Sequence, residues 1–339
     1  METSSQLLKV ENLSVDFASV DGRVHVLNDV ALRVNRGEII GIVGESGSGK
    51  TTLGLAILRL LDTPPAEVIS GSVVFEGKDI MKLEEDELWQ VRGTGMNMVF
   101  QESLISLNPV YRVESQIGES IVVAGKSKKT PVSGDKKHEE MLEVLRQLCL
   151  DKPEVVLKKY PHELSGGMRQ RVSIAMSIVQ TPRLLILDEP TTGLDAYVQN
   201  RILQIVRKLS HEFGVSMMLI THDLTVAAQI CDRIYVMYAG RVVEVGNSDQ
   251  ILEKPLHPYS ETLLAALPKG FNDSPPLPVP SGEPPDLRHL PGGCKFNPRC
   301  PYVMEICKRN EPPLIDYKSR WISCWKYTES EKVVAPQAS

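Results

Sequence analysis

One stretch, Gly44-Glu45-Ser46-Gly47-Ser48-Gly49-Lys50-Thr51, constrains the fold of this chain more than any other feature. It fits the pattern of Gly, four residues, Gly-Lys and Ser or Thr. The apolar run Glu38–Val43 before it predicts a short buried strand, and Thr52–Leu61 after it carries Leu and Ile at helical spacing. The stretch therefore lies where unpaired backbone N–H groups and a helix dipole bind phosphate. A plain Gly/Ser turn at the start of a helix is the alternative.

The residue types in this stretch suit a nucleoside triphosphate. Glycines let the backbone wrap around phosphate oxygens that a Cβ would push away. Lys50 is expected to neutralise charge on the β- and γ-phosphates, and the Thr51 hydroxyl is expected to coordinate Mg²⁺.

Composition indicates a globular protein of about two domains, since the chain has 339 residues, 42% of them hydrophobic and 24% charged. A net charge of −5 argues against nucleic-acid binding. No apolar run approaches the ~20 residues that span a bilayer, and the N-terminus lacks the layout of a signal peptide. We expect an intracellular protein whose link to a membrane comes through partners.

A second strand is predicted to end in acidic residues. Leu184–Leu187 is a continuous apolar run, as a parallel strand buried on both faces requires, and Asp188-Glu189 follow directly. Burying an unpaired carboxylate costs several kcal/mol. In a chain with a phosphate-binding loop, two acids at the end of a sheet strand therefore indicate a Mg²⁺–phosphate site.

Two other strands end at polar residues in the same way. Asn97–Phe100 leads to Gln101, and Ser216–Ile220 leads to Thr221-His222-Asp223. A lone histidine is usually structural, but this position at a strand end favours a role for His222. Residues Glu163–Arg171 open a helix that Ser165 can cap, which leaves the amides beside Gly166 and Gly167 open to close approach.

The remaining pattern predicts further elements and their limits. We expect two helices separated by a solvated Lys-rich loop at Gly125–Lys137, and a sheet that ends near Gly246. The strands are predicted at Leu7–Phe17, Val24–Val34, Gly71–Phe75 and, as a hairpin, Arg233–Val245, and the two helices at Val113–Val123 and Glu139–Leu150.

Over about Leu7–Gly246 these motifs resemble the ATP-binding cassette (ABC) ATPases, because five of them occur in that family's order. The family's signature motif falls on Leu164–Gln170, where Met168 replaces the common Gln. Its D-loop commonly begins Ser-Ala-Leu-Asp, and here it reads Thr192-Gly193-Leu194-Asp195. The resemblance implies catalysis by Glu189, His222 and Gln101. It implies Mg²⁺ coordination by Thr51, Gln101 and Asp188. The residues implied to contact the nucleotide are Phe17, Gly44, Glu45, Ser46, Gly47, Ser48, Gly49, Lys50, Thr51, Thr52, Ser165, Gly166, Gly167 and Asp195.

The resemblance also implies partners. The chain carries one phosphate-binding loop and one signature, so a second homologous ABC ATPase is needed to complete each ATP site. Two membrane permease subunits are expected to dock at Leu104–Ile117, with an extracytoplasmic substrate-binding protein beyond them. The expected location is the cytoplasmic face of the membrane, as a peripheral subunit, without nucleic acid. Peptides, nickel, glutathione and oligosaccharides remain possible cargoes.

The region after Gly246 resembles the oligopeptide/dipeptide importer ATPases. Lys254–Tyr259 and Glu261–Pro268 match a segment of that subfamily, and a Pro-rich linker follows. Cysteines at positions 294, 300, 307 and 324 have the spacing C-x5-C-x6-C-x16-C. The resemblance favours a [4Fe-4S] cluster on Cys294, Cys300, Cys307 and Cys324. Zn²⁺, disulfides and unligated thiols remain alternatives, and a structural staple is the conservative interpretation.

The predicted fold class is α/β, a P-loop NTPase core that combines a mixed sheet, an antiparallel β subdomain and an α-helical subdomain with a small irregular cysteine-rich C-terminal domain. The predicted boundaries are 1–250 for the nucleotide-binding domain, with its helical subdomain at about 103–182, 251–292 for a helix and linker, 293–327 for the cysteine-rich region and 328–339 for a tail. The predicted function is the ATP-hydrolysing subunit of a peptide importer. Soluble cassette ATPases of translation or DNA repair are the rival class, and an iron–sulfur redox module is another.

Overall fold

A computed structural model describes residues 5–20, 22–101, 106–127, 134–266, 282–283 and 285–328. The chain forms two compact units. The first contains Met1–Leu7, Val34–Ile39 and Phe75–Ile220, and the second contains Leu8–Arg33, Ile40–Val74 and Thr221–Ser339.

The strands and helices follow one another in an α/β pattern. The strands are β1 Gln6–Ser19, β2 Gly22–Asn35, β3 Ile39–Val43, β4 Ala66–Phe75, β5 Lys78–Asp79, β6 Met96–Val99, β7 Leu184–Asp188, β8 Ser216–Thr221, β9 Arg233–Tyr238, β10 Arg241–Asn247, β11 Ile315–Tyr317 and β12 Arg320–Ile322. The helices are α1 Lys50–Ile57, α2 Glu85–Gln90, α3 Val113–Ser127, α4 Gly134–Gln147, α5 Pro153–Leu157, α6 Gly166–Ile178, α7 Ala196–Phe213, α8 Leu224–Ile230, α9 Ser248–Glu253, α10 Pro258–Ala265 and α11 Glu305–Arg309.

The first unit contains three neighbouring parallel strands and a group of helices. β6 pairs with β7, and β7 pairs with β8, all in parallel. Every residue of β7 is buried, which explains its unbroken apolar sequence up to the final Asp188. Helices α3, α4 and α6 pack against one another in the same unit, so the predicted helical group is present.

The second unit contains a mixed sheet. β3 pairs with β9 in parallel, whereas β9 and β10 form the predicted antiparallel hairpin that turns at Ala239-Gly240. A second sheet has β1 between β2 and β4. The alternating apolar residues of β1 and β2 are the buried ones, as expected of strands with one covered face.

The predicted end of the sheet near Gly246 is wrong. The sheet continues beyond β10, because β10 pairs antiparallel with β12 and β12 pairs antiparallel with β11. The C-terminal region is therefore not irregular throughout, because its strands extend the sheet of the second unit. Pairing between strands so distant in sequence leaves no trace in local periodicity.

Two predicted helix limits also need correction. α1 ends at Ile57 rather than Leu61, because Arg59 adopts a left-handed conformation with φ 54°. The Leu60 N–H then bonds back to the Leu55 carbonyl, as in a Schellman motif. Part of the predicted loop Gly125–Lys137 is helical, since α3 reaches Ser127 and α4 begins at Gly134.

Some predictions fall outside the described residues. These are most of the Pro-rich linker, at 267–281 and 284, the tail at 329–339, and part of the predicted docking segment, at 104–105. Within the described ranges, no helix combines the length and the apolar character needed to cross a membrane.

Candidate nucleotide-binding site

The loop Gly44–Thr51 connects β3 to α1 in the second unit, as predicted. Gly49 precedes the helix with φ 95°, and no described side chain caps the first amides of α1. A Cβ on Gly44 would lie 2.2 Å from the Met237 carbonyl oxygen, so only glycine fits there. The loop is thus a tight turn before a helix N-terminus that no described side chain caps, which is where anions bind.

Lys50 is buried within this loop, with 6% of its surface exposed. Its Nζ donates hydrogen bonds to the carbonyl oxygens of Gly44 at 2.8 Å and Glu45 at 2.9 Å. The Ser48 carbonyl accepts a bond from the Gly240 N–H at 3.0 Å. The positive charge is therefore held against the loop itself, at the centre of the amide-rich turn.

Sequence reasoning missed two residues that contact Glu45 from the C-terminal region. Arg299 makes a two-point ion pair with the Glu45 carboxylate, and the Tyr259 hydroxyl accepts a bond from the Glu45 N–H. Burial lowers the pKa of Arg299, but the hydrogen bonds that it donates to Glu45 and Tyr238 outweigh burial and raise that pKa overall. Burial raises the pKa of Tyr259. Arg299 and Glu45 are 254 residues apart in the sequence, so no local sequence pattern could reveal their contact.

Two other predicted residues lie in the second unit. Phe17 is half-buried near the end of β1, and His222 is exposed between β8 and α8. The next residue, Asp223, caps α8 by accepting bonds from the N–H groups of Thr225 and Val226. His222 therefore stands at a strand end, as predicted, and a capped helix that was not predicted follows it.

The acidic pair lies at the end of β7 in the first unit. Asp188 is 2% exposed, while Glu189 is half-buried. Glu189 adopts φ 49°, a conformation that non-glycine residues rarely hold and that clusters at functional sites. Its N–H bonds to the Ile220 carbonyl at 2.9 Å, and its carboxylate accepts a bond from the Thr192 hydroxyl.

Gln101 leaves the same edge of this strand group. Val99 of β6 is paired with Leu187 of β7, and both strands run in the same direction. Gln101, which is exposed, and Asp188 therefore emerge at a common carboxyl edge, which is the usual ligand-binding edge of parallel sheets.

The predicted signature forms the N-terminus of α6. The Ser165 hydroxyl oxygen accepts the Met168 N–H at 3.3 Å, so Ser165 caps the helix as predicted. A Cβ on Gly167 would lie 2.5 Å from Val198 Cγ1 of α7. Asp195 caps α7 by accepting the Val198 N–H at 2.9 Å. The turn before α6 and the turn before α7 are thus neighbours.

All four C-terminal cysteines line one small cavity. All six cysteines of the chain are free thiols, so the disulfide alternative is not what the structure contains. Burial raises the pKa of Cys300 to about 11 and that of Cys324 to about 12. Among the described residues, no three His, Cys, Asp or Glu side chains have the arrangement of a metal-ion site. The metal prediction thus depends on the shared cavity alone.

Two protein-family models match this chain. The model described as "ABC transporter" matches residues 27–192, and the model described as "Oligopeptide/dipeptide transporter, C-terminal region" matches residues 243–307. The first match includes the phosphate-binding loop, the signature and the acidic pair. The second begins within β10, ends within α11 and includes three of the four clustered cysteines.

Individual relatives are similar along nearly the whole chain. The oligopeptide transport ATP-binding protein OppD of Salmonella typhimurium is 43% identical, and the alignment covers 97% of this chain and 96% of the relative. The dipeptide transport ATP-binding protein DppD of Bacillus subtilis is 39% identical, with 94% of each chain covered. Among solved structures, a dimeric post-hydrolysis state of the ATP-binding cassette MJ0796 bound to ADP and Pi has a TM-score of 0.64 at 27% identity, covering 71% of this chain and 99% of that one.

Proposed function

This chain belongs to the ABC transporter family of ATPases, and we propose that it is the ATP-hydrolysing subunit of an importer for short peptides. The observation that carries the proposal is similarity beyond the cassette. The solved cassette accounts for 71% of this chain, whereas relatives named for oligopeptide or dipeptide transport match 94% to 97% of it. The region past the cassette is therefore shared with peptide transporters.

The nucleotide phosphates would be held by the loop before α1. Its uncapped amides and the buried Lys50 ammonium provide positive charge for the β- and γ-phosphates. The Thr51 hydroxyl and the Asp188 carboxylate are the proposed Mg²⁺ ligands, an oxygen set that suits this ion. When bound, Mg²⁺ would neutralise charge on the transferred phosphoryl group. Phe17 is the proposed stacking partner of the adenine.

Hydrolysis would depend on Glu189. Its strained backbone and its bond to Thr192 hold the carboxylate at the carboxyl edge of β7, where it could polarise an attacking water. Gln101 and His222 are proposed to lie near the γ-phosphate. Phosphoryl transfer needs mainly positioning and charge stabilisation, and these polar side chains at strand ends can supply both.

A second cassette would complete each site. The exposed Ser165 and the Gly166-Gly167 turn present the N-terminus of α6, which suits the γ-phosphate of an ATP held by the partner. Asp195 lies in the neighbouring turn. ATP would then join two chains, and hydrolysis would release them.

Permease docking is proposed beside α3. Val110 and Tyr111 are exposed at 71% and 56%, and Phe100 at 41%. Val110 and Tyr111 lie within the described part of the predicted docking segment Leu104–Ile117, and Phe100 precedes that segment. Exposed neighbouring apolar side chains such as Val110 and Tyr111 suit a protein–protein contact.

The function is tested by reconstituting the chain with its permease subunits and binding protein in vesicles. ATP hydrolysis and uptake should both rise when the binding protein is loaded with short peptides. Uptake of nickel, glutathione or oligosaccharide instead would overturn the peptide assignment. Isolation of the chain with ribosomes or DNA, and without any membrane protein, would overturn the importer assignment in favour of the soluble ATPase class.

The cysteine cavity is proposed to hold a [4Fe-4S] cluster as a structural staple. What supports the proposal is that four free thiols line the same cavity beside buried Phe296 and His257, because four thiolates are the ligand set of such clusters. Burial lowers the pKa of His257 to about 3, so the imidazole next to the cavity is neutral. The bound group would cross-link the loop Cys294–Cys300, helix α11 and the segment after β12.

Anaerobic purification with iron and acid-labile sulfide assays tests this cluster. Cys300→Ala should lose the iron, whereas Cys149→Ala, an exposed cysteine of the first unit, should retain it. Stoichiometric zinc without visible absorption would show that the site holds zinc and not an iron–sulfur cluster. If the metal-free protein has the same Tm as the protein as purified, the bound group is not a structural staple.

A further inference from the structure

The segment between the first two clustered cysteines contacts the phosphate-binding loop directly. Arg299 Nη1 lies 2.9 Å from Glu45 Oε2, and Nη2 lies 3.1 Å from Oε1. The Arg299 side chain is 6% exposed and the Glu45 side chain 25%. Bidentate pairs of this kind fix orientation as well as contributing energy, and Lys cannot reproduce their geometry.

Glu45 is also held through its backbone. The buried Tyr259 hydroxyl accepts the Glu45 N–H at 2.8 Å. Tyr238 belongs to the same cluster. Its hydroxyl accepts a hydrogen bond from Arg299 Nη1 at 3.3 Å, and its ring centroid lies 4.5 Å from that of Tyr259. Phe296 packs edge-on against Tyr238 at 5.2 Å. Both the side chain and the amide of Glu45 are therefore fixed by a buried aromatic cluster and one arginine.

The position of Glu45 bears on the phosphate-binding lysine. The Glu45 carbonyl accepts bonds from Lys50 Nζ at 2.9 Å and from the Ser48 N–H at 3.2 Å. A shift of Glu45 would consequently move the carbonyl that positions the Lys50 ammonium. A displacement of about 1 Å in a positioned group can change rate or affinity by roughly 100-fold.

The cysteine segment in turn fixes Arg299. The Arg299 N–H bonds to the Phe296 carbonyl at 3.0 Å, and the Cys294 N–H bonds to the Cys307 carbonyl at 2.8 Å. Cys294 and Cys300, which flank this turn, both line the cysteine cavity. The place of the guanidinium is thus set by the fold of the cysteine-rich region.

We propose that Arg299 is a positioning residue of the phosphate-binding loop, and that the segment Cys294–Cys300 sets the affinity of this loop for a nucleoside triphosphate through the Arg299–Glu45 pair. This inference rests on the proposed nucleotide site. It assigns the C-terminal region a role in ATP binding in addition to any structural one.

The test is equilibrium binding of a fluorescent ATP analogue with Mg²⁺ to the full chain, together with its Tm. Arg299→Gln is expected to raise the Kd about tenfold, and Arg299→Lys by less, because the charge remains while the two-point geometry is lost. Glu45→Gln should resemble Arg299→Gln, and the double variant should be no weaker than either single variant, since both changes remove one interaction.

Arg320→Gln is the matched control. Arg320 is another buried arginine that anchors the same region, through Glu244 of β10, but it does not contact the phosphate-binding loop in any described bond. It should lower the Tm while leaving the Kd near that of wild type. If Arg320→Gln raises the Kd as much as Arg299→Gln does, the effect is general loosening and the proposal is wrong.

The cysteine segment is tested by Cys300→Ser in two backgrounds. The substitution should raise the Kd in the wild-type chain and have no further effect beside Arg299→Gln. Equal effects in both backgrounds would overturn Arg299 as the link. A wild-type chain that fails to bind the analogue would refute the proposed function, whereas normal wild-type binding with an unchanged Arg299→Gln variant would refute only this inference.

Discussion

Two helices of this chain begin at a turn containing Ser and Gly, yet they present their first amides differently. α1 follows Gly49, which has φ 95°, and no described side chain caps it. α6 follows Ser165, whose hydroxyl oxygen accepts the Met168 N–H. The first turn thus lacks a side-chain cap, whereas the second turn is stabilised by the exposed Ser165 as its own cap.

The surroundings of these two turns differ as well. A Cβ on Gly44 would lie 2.2 Å from the Met237 backbone oxygen, whereas a Cβ on Gly166 would lie 3.5 Å from Leu194 Cδ2, an ordinary contact. The phosphate-binding loop is therefore shaped by its own chain before any partner arrives. In the signature turn, space for a Cβ exists at Gly166 but not at Gly167, where a Cβ would lie 2.5 Å from Val198 Cγ1.

The largest effect on ATP hydrolysis is expected from Glu189→Gln, which would leave both turns able to bind ATP. Loss of the proposed base should lower kcat about 10³-fold, within the range for general bases, while ATP binding persists. ATP should then trap a closed dimer, measured by light scattering during size-exclusion chromatography. Glu212→Gln, at the exposed end of α7, is the control. A Glu189→Gln variant that turns over ATP at the wild-type rate would contradict the assignment.

Gly44→Ala should come next, because its Cβ meets backbone that cannot move aside. We expect the Kd for ATP to rise about 100-fold, as for a misplaced binding group. Isothermal titration measures the Kd, and circular dichroism checks that the chain remains folded. Unchanged affinity in a folded Gly44→Ala variant would mean that the loop is not preorganised in the way described.

Gly166→Ala should distinguish the role of the signature turn from that of the phosphate-binding loop. Its Cβ meets only an ordinary contact in this chain, so the Kd of the monomer for ATP should stay at its wild-type value. ATP-driven dimerisation and steady-state hydrolysis should fall about tenfold, because the methyl group would occupy the approach of the partner's phosphate. Weaker ATP binding by the monomer would show that the signature turn is not reserved for the partner.

The smallest effect is expected from Ser165→Ala on stability. Loss of the bond to the Met168 N–H should cost about 1 kcal/mol, the usual value for an N-cap. Urea denaturation measures the change, and Ser165→Thr, which keeps a hydroxyl, should recover most of it. If Ser165→Ala unfolds at the wild-type urea concentration, the cap contributes nothing and α6 is held by packing alone.

The sequence alone determined the features whose signal is local. The strand, turn and helix around Gly44–Thr51, the apolar β7 and the Ser165 cap were all predictable, because side-chain periodicity, glycine placement and capping chemistry act over a few residues. The cassette fold followed from the order of these motifs, which the comparison with a solved cassette confirms. The roles of the individual site residues stay predictions.

Only the tertiary structure decided what depends on contacts between distant residues. The continuation of the sheet through β12, the cavity shared by the cysteines and the pair between Arg299 and Glu45 all join segments far apart in the chain. Such contacts form because a buried charge needs an opposite charge and a strand edge needs a neighbouring strand. Neither need reveals in the sequence which distant residue or strand will meet it. The early end of α1 is a local feature that also escaped prediction, because helical spacing of apolar residues does not reveal a left-handed Arg59.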